Sequence, residues 1–485
     1  MNPALRTFLA ETVRVGGGRG LRCGLLGVGV GWLSLGGQSP IGMLISEQSR
    51  TGFTVQGVGA RAVGRGGAFI AVADDATAVS FNPAGLAQLL KPEVSVGGRG
   101  IQRSVSYEEF ATTSQGRVLA VTDSLIGSRH FDPLLLSAIV PLRVGGRNLA
   151  LQLSAQRAFA LGEGDSRDLV ETPAAAAGSQ GASRLKQSIR QSGQIDLYSL
   201  AVAYECSQRI LLGVTYNQWR GRWDLDSGSS KETAGAETHL RFRQSNRLDG
   251  ENFNLGLIWR WPTWSLGLVH RTPFRARYSY STMLETNLKL GGVSGATERD
   301  LGLHWPGSTG LGLAWRLAEG WLVTGDLERT AWSEAKYFTE NRILNGQNFF
   351  NLSRTARVPN ATALRLGAEK VWVTAKGVLV PFRMGFSREP QPVVDPVTGE
   401  QRVLYGVSVG SGIKRGAQTV DVAYRYGWAK RRASQFMDVD QILAGTHTTS
   451  VGTERTREQR LDLSYIVQFD RKPVERVLRH LFVGD

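Results

Sequence analysis

The sequence has too little cysteine to be held together by disulfides. Cys23 and Cys206 are its only two, and Cys23 falls in a leading segment expected to be removed, which leaves Cys206 without an intrachain partner. Metal ligation lacks support as well, because His130, His239, His270, His304, His447 and His480 are scattered and no cysteine–histidine cluster exists. After residue 40 there is no uncharged apolar run of eighteen residues, which excludes membrane-spanning helices. Catalytic signatures fail on context. Gly406-Val407-Ser408-Val409-Gly410 has the spacing of a hydrolase nucleophile turn but lies within an alternating strand and leads into another strand, so the strand-to-helix elbow is missing. Gly57-x-Gly59 resembles the start of a dinucleotide fingerprint, yet position 62 is alanine and Gly64 with Gly66-Gly67 spoils the helix that a pyrophosphate needs. No catalytic residues, metal or cofactor are therefore expected.

Charge is present in excess, at a formal net +15. Nucleic-acid binding requires basic residues gathered on a stripe or a recognition helix. Here they recur singly in strands and loops, which suits a polar lumen and an anionic outer surface better. The first 39 residues read as a secretory signal: Arg6, Arg14, Arg19 and Arg22 precede an uncharged run from Cys23 to Leu35.

From residue 92 the pattern alternates. Val420, Val422, Tyr424, Tyr426 and Trp428 form one face of a stretch whose other face is Asp421, Ala423, Arg425, Gly427 and Ala429. Apolar residues at period two, with aromatics toward one end, are what a lipid-facing strand requires. Similar stretches occur at about 93–102, 134–143, 148–158, 195–205, 209–219, 252–260, 264–272, 307–317, 320–330, 361–371, 377–388, 403–414, 418–429 and 460–470, fourteen in all. The connections alternate between short ones, such as 144–147, 206–208 and 415–417, and long ones, such as 159–194, 220–251 and 331–360. Segregation of loop lengths by end is the habit of outer-membrane barrels, and an even strand number lets the sheet close with both ends in the periplasm. Polar residues opposite the apolar faces, including Gln152, Asp326, Glu328, Arg365, Glu369, Arg383, Asp421, Arg425 and Asp462, predict a lumenal ladder of ion pairs, since buried charges persist only when paired.

Before the strands lies a different segment, GVGARAVGRGGAFIAVADDATAVSFNPAGLAQLL, from Gly57 to Leu90. Its glycines leave little side chain to bury, Ala68 to Ala73 suits a short buried strand, Asp74 and Asp75 suit hydrogen bonds within the segment, and Asn82-Pro83 marks a rigid turn. Such a segment is a compact plug that needs walls.

The run GARAVGRGGAFIAVADDATAVSFNPAGLA closely resembles the N-terminal hatch of the FadL/TodX family of outer-membrane transporters for hydrophobic compounds. Weaker echoes are DLERTAWSEAKYF and RMGFSREPQPVVDP. The resemblance implies an all-β fold, a fourteen-stranded antiparallel transmembrane barrel with the hatch in its lumen. With the signal read above, the chain divides into a signal peptide (1–39), hatch (40–91) and barrel (92–470), and a basic periplasmic tail (471–485) follows as a departure from the family's usual aromatic end. The resemblance also implies a gating role for Asn82, Pro83, Ala84 and Gly85 with Asp74 and Asp75, beside an opening in strand three. That strand, 148–159, carries no glycine, and Ser154-Ala155 is the expected break. Trp332, Tyr337, Phe338, Phe349 and Phe350 in the long loop 331–360 are expected to form an outer capture groove, with Arg342 (or Arg354 or Arg357) for a carboxylate head group. The function implied is passive, ligand-gated uptake of long-chain fatty acids or other hydrophobic compounds, by a monomer in a Gram-negative outer membrane among lipid and lipopolysaccharide. The alternative is a barrel of the same fold serving protein secretion or surface assembly.

Overall fold

The computed structural model describes residues 57–108, 111–114, 117–120, 124–171, 183–233, 236–287, 295–340, 345–350, 357–395, 397–436 and 449–470. The expected signal, residues 40–56 of the hatch and the tail lie outside them.

Fourteen antiparallel staves form one sheet. They are β1 (Glu93–Glu108), β2 (Ser124–Val144), β3 (Arg147–Ala160, continued by Glu163–Glu171), β4 (Ser183–Glu205), β5 (Ile210–Thr233), β6 (Ala236–Arg260), β7 (Trp264–Arg271 and Phe274–Thr286) and β8 (Gly295–Trp305 and Ser308–Arg316). There follow β9 (Trp321–Thr330, with Lys336–Phe338 beyond it), β10 (Ala361–Val373), β11 (Leu379–Val394), β12 (Gln401–Arg415), β13 (Gln418–Phe436) and β14 (Thr449–Gln468). Pairing of β1 with β14, from Glu93↔Gln468 to Glu108↔Thr453, closes the barrel. Closure matters because an open edge in lipid would leave a row of unsatisfied N–H and C=O groups.

The strand faces sort by solvent. On β13, Val420, Val422, Tyr424 and Trp428 are exposed on the outer wall while Asp421, Ala423 and Arg425 are buried inside. At the short-turn end, Gly145 and Gly146 take positive φ (57° and 75°), the left-handed conformation that a two-residue hairpin demands. The expected ion-pair ladder is present. Arg383 meets Glu369 at 2.5 Å and Asp421 at 2.6 Å, Arg425 meets Glu458 at 3.0 Å, and Asp462 lies between Arg99 (2.8 Å) and Arg460 (2.6 Å).

The long connections differ from expectation: much of what reads as loop is strand. Residues 220–233 and 236–251 are the upper arms of β5 and β6, paired continuously from Ile210↔Trp259 to Thr233↔Ala236. In these arms the faces exchange chemistry. Trp223, Leu225, Phe242 and Leu248 point inward and are buried, while Arg220, Arg222, Arg243 and Arg247 face outward into solvent. Above the lipid the outside must be polar, so the apolar-out signal stops while the strand goes on.

Candidate functional site

The hatch from Gly57 onward lies within the barrel, contacting β5, β6, β12 and β13 among others. It opens with a five-residue helix, α1 (Ala60–Gly64), and ends in a 3-10 turn, Pro83–Gln88, capped by Asn82, whose Oδ1 accepts from Ala84 N at 3.1 Å. Between them, Ala68 to Ala73 is not the expected strand but a tight turn, with the N–H groups of Val72 and Ala73 both donating to Phe69 O. The wall explains this. Asp326 Oδ2 accepts from the N–H of Phe69 (2.7 Å) and Ile70 (2.9 Å), and Ser265 Oγ donates to Ala71 O (2.9 Å), so these groups are not available to a ladder.

The wall receives the hatch backbone through facing glycines. Gly213 and Gly256 pair across β5 and β6, and a Cβ on either would overlap the Asn82-Pro83-Ala84 turn. Gly267 and Gly312, paired across β7 and β8, do the same for Ile70 and Ala71, and Gly367 and Gly385, paired across β10 and β11, for Arg65 and Gly66. Ser408, the serine of the Gly-x-Ser-x-Gly run, is no nucleophile in this setting. Its Oγ accepts from Gly66 N (3.0 Å) and donates to Gly64 O (3.2 Å), binding the hatch to β12.

Asn82 is fully buried, and its Nδ2 donates to Ile70 O (2.9 Å), Leu257 O (3.1 Å) and Leu268 O (3.4 Å), tying the turn to β6 and β7. Asp74 takes Arg61 at 2.6 Å, and Asp75 accepts from Thr77 N (2.8 Å) and Thr77 Oγ1 (2.5 Å). Burial raises the Asp75 pKa above the usual carboxylate value although Arg61 pulls it down. Arg65 is wholly buried over the Phe69 ring at 4.6 Å, its guanidinium without a hydrogen-bond partner among the described residues, and burial lowers its pKa to about 10. Toward β3, Gln152 Nε2 donates to Ala76 O (2.6 Å), Asn148 Nδ2 donates to Ala87 O and Leu89 O (2.7 Å each), and Ser80 Oγ hydrogen-bonds Gln156.

The break expected at Ser154-Ala155 is not there. Both residues are paired on both sides, with Ser137 and Leu136 of β2 and with Ser199 and Tyr198 of β4. The irregularity falls higher, as a bulge between Arg157 and Phe159 against β4. A bulge adds an unpaired residue without needing glycine, which is why sequence gave no sign of its place.

Above the hatch is a cavity of about 70 Å³, lined by Ser80, Gln156, Arg157, Ala158, Asn217, Trp219, Trp305, Trp332 and Arg365 among others. Its walls are chemically divided. The apolar wall is Trp219, Trp305 and Trp332, which belong to one buried cluster with Phe159, Trp223, Phe274, Tyr278, Tyr337, Phe349 and Phe350 behind them; ring centroids are 5.5 Å apart for Trp219–Trp305, 5.2 Å for Trp219–Phe274 and 5.0 Å for Trp332–Phe350. The polar side is neutralised. Arg157 meets Asp132 (2.6 Å) and Asp196 (3.2 Å), Glu328 pairs with Arg271 and with Arg365 (2.8 Å), and Arg365 also reaches Glu389 (3.3 Å). Trp219 Nε1 donates to Asn252 Oδ1 at 2.9 Å, so the indole nitrogen is satisfied while its apolar body faces the cluster.

The expected outer groove is corrected on this point. Trp332, Tyr337, Phe349 and Phe350 are turned inward as part of the buried cluster, because the 345–350 segment folds back on Lys336–Phe338, with Tyr337 N donating to Gln347 O (2.9 Å). Phe338 alone of the five stays outside, 41% exposed beneath Arg275. Arg342 and Arg354 lie outside the described residues. Sequence reading missed Trp219, Trp223, Phe274, Tyr278 and Trp305. The signal that finds the first two is inward alternation continuing through Trp219, Gly221, Trp223 and Leu225, past the apparent end of the strand.

A family model described as outer membrane protein transport protein (OMPP1/FadL/TodX) matches residues 42–459. Among solved structures, the chain is similar to a Pseudomonas aeruginosa FadL homologue (TM-score 0.63, 14% identity, 86% of this chain and 100% of that one). It is also similar to the P. putida toluene transporter TodX (0.54, 13%, 86% and 100%) and to the CymD monoaromatic hydrocarbon channel (0.53, 16%, 86% and 99%). At such identities the likeness is one of fold. No curated protein sequence matches the chain. A closed barrel with a lipid-facing exterior, a hatch seated on wall glycines and a family match over most of the sequence lead to one assignment: the chain belongs to the FadL/TodX family of outer-membrane transport proteins for hydrophobic compounds.

Proposed function

We propose that the protein carries small hydrophobic compounds passively across the outer membrane of a Gram-negative cell, through the aromatic chamber above the hatch. The observation that carries this reading is the chamber itself: a buried cluster of aromatic rings inside a barrel mouth, meeting a polar floor whose arginines are ion-paired. Burying an apolar molecule there releases about 25 cal/mol per Å² removed from water. An uncharged ligand leaves the floor's ion pairs intact. A long-chain fatty acid must displace a carboxylate from Arg157, Arg271 or Arg365, and stands as the second reading because those arginines line the cavity. Passage then requires the hatch to shift about the Asn82-Pro83-Ala84-Gly85 turn, with Asp74 and Asp75 as its anchors, and the wall to yield at the bulge between Arg157 and Phe159.

Uptake of radiolabelled toluene and of radiolabelled oleate by cells carrying the protein separates the readings. Saturable toluene uptake supports the first, oleate uptake alone the second, and uptake of neither removes both. Within the same assay Pro83→Ala is expected to lower uptake several-fold while the protein still inserts, since proline's fixed φ presets the turn; unchanged uptake would remove the turn from the gating step.

A further inference from the structure

The outer face of the upper arms carries an arginine cluster that the transport reading does not use. Arg222 of β5 and Arg247 of β6 stand directly opposite each other in the ladder. Their cross-strand neighbours in the same row are Gln194 and Ser279, and the first carboxylate in the row is Asp300, opposite Ser279 on β8 and two strands away from Arg247. Arg220 and Arg277 flank it diagonally, one row lower, on either side of Asp249. Arg220 takes Asp249 at 2.9 Å. Arg222, Arg247 and Arg277 are exposed, and their side chains have no hydrogen-bond or ion-pair partner among the described residues. Of the further acids, Asp196 stands opposite Arg220 but is taken by Arg157 (3.2 Å) and by Gln194 Nε2 (2.7 Å), Asp300 lies diagonal to Arg277, and Asp224 and Glu251 sit one row above and one below the four arginines.

Like charges placed directly opposite on a sheet destabilise it, so the Arg222–Arg247 pair, with no carboxylate directly opposite either arginine, calls for an anion between its guanidinium groups. Position identifies which anion. The four arginines share the face of Leu212, Val214, Phe253 and Leu255, the lipid-facing residues lower on the same two strands. Arg222 is six residues above Tyr216, which at ~3.3 Å per residue and a tilt of ~40° sets it ~15 Å above that ring. The Arg220 row is ~10 Å above by the same geometry. These heights fall in the headgroup zone of the leaflet on the long-arm side. Arginine's planar fork suits bidentate binding of phosphate.

We propose that Arg222, Arg247, Arg220 and Arg277 form a docking site for the phosphorylated headgroup of an outer-leaflet glycolipid, its acyl chains lying along the apolar residues below. The site lies on the wall, away from the lumen, and its test is independent of any transported ligand.

The test is native mass spectrometry of the purified full chain in detergent, titrated with bis-phosphorylated hexaacyl lipid A. The wild-type protein is expected to retain it, and R222Q/R247Q to bind about tenfold or more weakly. R277Q is expected to give a smaller loss in the same direction, and R241Q, higher on this face and paired with Asp226 at 2.6 Å, to bind as wild type. Lipid A lacking both phosphates should not be retained. Equal binding by wild type and R222Q/R247Q, or equal retention of the dephosphorylated lipid, would overturn the site. Displacement of the lipid by millimolar inorganic pyrophosphate would overturn the assignment to a glycolipid in favour of a free anion. Heat-dependent mobility on a gel checks that each variant is folded.

Discussion

Valine at Gly385 would drive a wedge between hatch and wall. The Cβ added there overlaps the backbone of Gly66, and its cross-strand partner Gly367 offers no relief, since its own missing Cβ position is 2.5 Å from Arg65 O. Backbone cannot rotate away as a side chain can, so the 64–67 turn must lift. Lifting it breaks the two hydrogen bonds through Ser408, from Gly66 N (3.0 Å) and to Gly64 O (3.2 Å), at about 1 kcal/mol each. Overpacking adds about 1–3 kcal/mol. The sum, about 3–5 kcal/mol, raises the undocked fraction of the hatch by a factor of about a hundred to a few thousand, at 1.4 kcal/mol per decade. The barrel itself should survive, because closure rests on the ladder pairing of β1 with β14. Single-channel conductance in planar bilayers reads the outcome: wild type is expected to stay closed and Gly385→Val to show frequent openings. Gly100→Ala, where a Cβ meets a single atom at 4.0 Å, is the control. Equal conductance of Gly385→Val and wild type would refute the claim that the glycine pairs seat the hatch.

Asp326→Ala removes the acceptor of two hatch N–H groups and is expected to weaken hatch docking by about 2–3 kcal/mol, seen as increased protease cleavage within 57–90 in folded protein. Trp305→Ala takes away the ring that contacts Phe159, Trp219, Phe274, Trp332 and Phe350. Hydrophobic uptake should fall about tenfold or more through lost apolar contact, with normal insertion by gel mobility. Glu328→Gln leaves Arg271 without its carboxylate and Arg365 with Glu389 alone, and a cost of about 3 kcal/mol or more should appear as a lower unfolding midpoint in detergent.

Much of the barrel was legible in the sequence. The two-residue period of 420–429 identified a strand with its lipid face correctly assigned, and the alternation of short and long connections led to fourteen staves. Strand lengths were not legible, because the reading relied on apolar residues facing out, and above the lipid that rule inverts: Arg222 faces out and Trp223 in. The hatch turn at Asn82-Pro83-Ala84 was recognisable, but its seat was not. Asp326, Ser408 and the three glycine pairs lie far along the chain, and only the closed sheet brings them to it. The reading of 68–73 as a strand failed for the same reason, since a donor from β7 (Ser265) and an acceptor from β9 (Asp326) take its backbone groups. For the aromatic residues of 331–360, composition announced apolar contact, while the fold-back at 345–350 decided that it would be internal.

Anomalous diffraction from crystals soaked with bromobenzene tests the central claim most directly. A bromine peak among Trp219, Trp305 and Trp332, above the hatch, is the expected result. Bromine bound only on the lipid-facing exterior, with the chamber empty at saturating probe, would contradict it.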